Sequence, residues 1–69
     1  RDLKDRYETI LDPSNLWTVW DNLTNEPAVI GMTIVAGITQ SEAEDACYVL
    51  NEVEKRRRSR EERRHAANS

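Results

Sequence analysis

The sequence predicts an α+β fold, with a short N-terminal helix, a β-hairpin and a long C-terminal helix in a single chain of 69 residues. Three observations predict it. Leu3, Tyr7 and Ile10 stand at i, i+4 and i+7, the spacing of one helix face. Two segments rich in tryptophan, threonine, valine and isoleucine flank the turn-forming run DNLTNEP, residues 21–27. TQSE, residues 39–42, then has capping-box spacing and opens a stretch with helical apolar periodicity.

The first helix should end at Asp12-Pro13, because the residue before a proline is biased away from helical angles. Residues 16–23 fit two patterns. Leu16, Val19, Trp20 and Leu23 make a helical face, with Asp12 as its cap and Pro13 in its first turn. Alternation instead puts Trp17 and Val19 on one face of a strand and Leu16, Thr18 and Trp20 on the other. The following AVIGMTIV favours the strand, since it is β-branched and carries a glycine that would weaken a helix. The hairpin is therefore read as residues 16–22 paired with 28–35.

The last element runs from Gln40 to about Arg64. Thr39 and Glu42 form its capping box, and Glu42, Glu44 and Asp45 suit the positive end of the helix dipole. Its apolar stripe is Ala43, Cys47, Leu50 and Val53, with Ala46 and Val49 beside it. Small residues at its start allow close approach to a sheet. Beyond Val53 come only charged and polar side chains as far as His65, with Glu54–Arg58, Arg57–Glu61 and Arg58–Glu62 at the i, i+4 spacing that supports a helix. Such a helix is about 37 Å long and outruns the body, so its final turns should project.

Within this region VAGITQSEAEDACYVLN, residues 35–51, resembles the second half of a bacterial repressor helix-turn-helix. Ala36, Gly37, Ile38 and Thr39 match the turn that precedes the recognition helix. The resemblance covers about a quarter of the chain and, joined to the helical reading of residues 16–23, gives the alternative fold: all-α with a helix-turn-helix-like element. It implies DNA binding by the last helix. The positions that would face bases or phosphates hold Glu42, Glu44 and Asp45, which repel a phosphate backbone.

Charge divides the chain into a compact acidic domain, residues 1–54, and a basic arginine-rich helical extension or tail, residues 55–69. The first carries eleven acidic and three basic side chains and the second two acidic and seven basic, so −8 faces +5 within a formal total of −3. Phosphates are repelled by one part and attracted by the other. A chain this short rarely stabilises itself through its core alone, so a homodimer or another protein partner is expected. Cys47 is the single cysteine and His65 the single histidine, too few for a disulfide or a zinc site, and no cofactor is expected. The lone thiol and the charged N-terminal residues favour a cytoplasmic setting. The longest uncharged run, residues 27–41, is shorter than the roughly 20 residues of a membrane helix and is interrupted by two glycines, so no membrane partner is expected.

No catalytic constellation stands out. His65 reads as a solvated side chain, Cys47 as a small core hydrophobe, and Gly31 and Gly37 are too far apart for a phosphate-cradling loop. The expected function is that of a small non-enzymatic protein-binding module, a bacterial or phage regulator or inhibitor of a nucleic-acid-handling complex such as a host defence system. Its compact acidic profile resembles phage-encoded inhibitors of host defence, which block nucleic-acid sites by presenting carboxylates. Glu42, Glu44 and Asp45 are the expected partner-binding acidic face. Arg56, Arg60, Arg63 and Arg64 form a basic stripe for a partner or for nucleic acid. Trp17, Trp20, Ile30 and Ile34 are the expected self-association residues, because the hairpin has apolar residues on both faces. The alternative function is a nucleic-acid-binding regulator that uses the arginine stripe.

Overall fold

The computed structural model describes residues 5–67, with side chains through Arg64. The strands come first and one long helix follows: β1 (Tyr7–Leu11), β2 (Trp17–Asp21), β3 (Glu26–Pro27), β4 (Val29–Ile30), β5 (Thr33–Ile34) and α1 (Gln40–Ala67). The sheet has the order β1-β2-β3, all antiparallel, and β4 pairs with β5 as a separate two-stranded ribbon.

The expected N-terminal helix is not formed; Leu3 lies outside the described residues, and residues 7–11 are the strand β1. Period two prevails over period 3.6 here because β2 supplies a matching partner. Tyr7, Thr9 and Leu11 fall opposite Asp21, Val19 and Trp17, which places the six on one face. Asp12-Pro13 does end an element, but it starts a hairpin turn. Asp12 Oδ1 accepts bonds from Ser14 N–H (2.8 Å), the Ser14 hydroxyl (2.6 Å) and Leu16 N–H (3.1 Å), while Asn15 takes the left-handed conformation.

The helical reading of residues 16–23 is likewise overturned, since β2 occupies the centre of the sheet with Val19 fully buried. The all-α alternative falls with it. Ala36-Gly37-Ile38-Thr39 follows a strand, so the first helix of a helix-turn-helix is absent. The expected second hairpin strand is divided. Its ends lie along β2, where Ala28 N–H donates to Val19 O (2.8 Å), Val19 N–H donates to Val35 O (2.9 Å), and Trp17 and Ile38 exchange backbone bonds of 2.7 and 3.2 Å. Its middle, residues 29–34, turns back on itself. Gly31 (φ 65°) leads a two-residue Gly-Met turn, a position where a positive φ suits the right-handed twist of a hairpin.

Helix α1 begins as the capping box requires: Thr39 N–H donates to Glu42 Oε1 and Glu42 N–H donates to Thr39 Oγ1, both at 3.1 Å. Ala43 is fully buried and joins Val19, Ala28 and Val35 in the core, against which Tyr7, Trp17, Ile38, Ala46, Cys47 and Leu50 pack. Two of those four core residues are alanines, which lets helix and sheet approach closely. The stripe does not end on Val53 as expected. Positions 43, 47, 50 and 54 share one azimuth, so Glu54 is buried while Val49 and Val53 lie more than half exposed. Between them Asn51 reaches the sheet, accepting from Tyr7 N–H (2.9 Å) and donating to Tyr7 O (3.0 Å).

Candidate interaction surface

The ribbon β4–β5 stands out from the body as an arm. Its six residues carry no charge, Met32 at the tip is 99% exposed, and Val29, Ile30 and Ile34 are each about half exposed. Ordinary surfaces scatter single apolar residues, whereas here four stand within six consecutive residues of one projecting element. The residues expected to self-associate are divided among three places. Ile30 and Ile34 lie on the arm, Trp17 packs against the core, and Trp20, paired across the sheet with Pro27, alternates to the opposite face.

A charged junction lies where α1 passes the start of β1. Arg6 Nε and Nη2 each donate to Asp21 at 2.9 Å, and its Nη1 donates to Glu54 at 3.0 Å. Glu54 also accepts from Arg57 Nη2 at 2.9 Å and faces Arg58 Nε at 3.5 Å. The Arg57 and Arg6 guanidiniums outweigh the burial of the Glu54 carboxyl and hold it down to about 2. Arg6 likewise lowers Asp21, and the carboxylates in return raise Arg6. Burial pushes the Tyr7 phenol up, with the Arg6 guanidinium 5.0 Å from its ring centre. Asp5, Arg6, Asn22, Leu23, Glu54, Arg57 and Arg58 line an open depression at this junction. Sequence reasoning missed it, because residues 6, 21 and 54 form no local pattern; the only clue was a glutamate at the end of the apolar stripe.

The expected acidic face is partly committed to local bonds. Glu42 completes the cap and Glu44 accepts from the Gln40 side chain at 3.2 Å, while Asp45 is exposed. On the basic side, Arg57 and Arg58 are tied to Glu54, and Arg57 also to Glu61 at 3.0 Å. Arg56, Arg60, Arg63 and Arg64 are exposed and make no ion pair with any described residue. The His65 side chain lies outside the described residues. Cys47 is half-buried, and desolvation pushes its thiol up, away from the nucleophilic thiolate.

Among the described residues no group of three or more His, Cys, Asp or Glu side chains is placed to hold a metal ion. No described helix is long and apolar enough to cross a membrane. Comparison with known proteins finds no matching family model, curated protein or solved structure.

Proposed function

We propose that this chain is a small non-enzymatic protein-binding module that regulates or inhibits a larger nucleic-acid-handling complex, such as a host defence system, and that the β4–β5 arm is the element it inserts into that partner. The arm carries the reading. It is convex, uncharged and apolar around both strands, so its complement is an apolar groove. The depression beside Arg6 on the same chain is lined mainly by charged groups, whose remaining hydration an uncharged arm would displace without replacing. A second copy therefore offers the arm a poor seat there, and a different protein is its intended partner. The charge of −8 over residues 1–54 supports a nucleic-acid-handling partner, whose exposed surfaces are basic.

The test is the affinity for a captured partner of the variant carrying Ile30→Ser, Met32→Ser and Ile34→Ser. Binding should be lost while circular dichroism and the melting transition stay as in the wild type; undiminished binding would sink the proposal. Reversing Glu44 and Asp45 to lysine should weaken the same complex. A second reading rests on the four unpaired arginines, which suit a phosphate backbone. It predicts a gel shift with duplex DNA or RNA that fades steeply as salt rises, and that is lost when Arg56, Arg60 and Arg63 become glutamate.

A further inference from the structure

The outer face of α1 carries a pattern that the arm does not use and that meets the core only at Ala46. Glu42, Ala46, Val49, Val53, Arg56 and Arg60 recur at steps of four and three residues, which keeps them on one side of the helix about a third of a turn from the face that packs on the sheet. Val49 and Val53 lie in the middle of this seam and are each 57% exposed. An acidic residue stands before them and arginines after them, and those arginines have no partner within the described chain.

We propose that two copies of this chain pack α1 against α1, antiparallel, about a two-fold axis at the level of Asn51. This is a surface separate from the arm. With that axis, Val49 of one copy meets Val53 of the other, and Glu42 comes level with Arg60. Asp45, on the rim of the seam, comes level with Arg56 and Arg57. Each contact occurs twice, as a two-fold interface demands. The seam from Glu42 to Arg60 is about 27 Å long, and because the sheet-packing face lies about a third of a turn from it, the two-fold places both sheets on the same side of the helix pair. A parallel arrangement would place Glu42 beside Glu42 and Arg60 beside Arg60, so charge selects the antiparallel one.

Sedimentation velocity over a range of protein concentrations, at low and high salt, should show a dimer that weakens as salt rises. Val49→Glu with Val53→Glu should weaken dimerisation by about tenfold or more, with helicity unchanged. Asp45→Lys and Arg56→Glu should each weaken it, and the double variant should recover because the paired charges are exchanged. A wild-type monomer at sub-millimolar concentration overturns the proposal. So does a double variant weaker than both singles, or a dimer abolished by the arm substitutions and untouched by those at Val49 and Val53. The arm substitutions should lower partner binding without altering self-association, which separates failure of this interface from failure of the proposed function.

Discussion

Arg6 joins carboxylates that lie 15 and 48 residues away in sequence, and it is the only cation among the described residues that bridges β2 to α1. Replacing it with alanine leaves Asp21 and Glu54 close together with reduced compensation and should cost on the order of 2–4 kcal/mol in chemical denaturation. Arg57→Ala should cost less, because that side chain is half exposed and Arg6 still serves Glu54. The same carboxylates set the response to acid. Asp21 and Glu54 are held below their ordinary range, so the stability they contribute is complete above the unfolded carboxylate values of about 4 and drains away as pH falls toward 2. The denaturation midpoint should be flat from neutrality to about pH 5 and then fall. Glu54→Gln should begin lower and fall less steeply. A variant as acid-sensitive as the wild type would place the titrating groups elsewhere.

At the scale of elements, α1 has two parts with different duties. Among the described residues its last ion pair with the body is Arg6–Glu54, so removing residues 59–69 should leave the melting temperature nearly unchanged. Loss of cooperative unfolding in that truncation would show that the far end of the helix packs on the body. The arm is equally separable. Met32→Ser should shift stability by no more than about 0.5 kcal/mol, since the side chain is already in water. These elements were legible in the sequence to different degrees. The capping box was read down to its two reciprocal bonds, because Thr39 and Glu42 interact within one turn. Strand β1 was misread because Tyr7 and Ile10 also suit a helix when their partner across the sheet is unknown. Gly31 was recognised as hostile to a helix, yet its turn divides the expected strand, which residue types alone do not reveal. Val53 was preferred to Glu54 as the end of the stripe on polarity, and azimuth, with Arg6 as counter-charge, decided otherwise.

For the molecule as a whole, four fully or nearly buried apolar residues among those described make a very small core, and polar contacts such as those of Arg6 and Asn51 join the helix to the sheet around it. Partner and self-association should therefore raise the melting temperature with concentration. The bond pair between Asn51 and Tyr7 has a further consequence of this kind. In the sheet β1 is an outer strand, and Asn51 presents to Tyr7 the acceptor and donor that an adjoining strand would present. The helix side chain thereby occupies the first pair of outward backbone groups on an edge onto which other chains could stack. Asn51→Leu keeps the approximate size of the side chain and raises its helical preference, but uncovers both Tyr7 backbone groups. That variant should form thioflavin-positive fibrils under conditions in which the wild type stays clear, with Asn51→Gln intermediate. Resistance to aggregation in this protein would then depend on one amide, held in place by the helix.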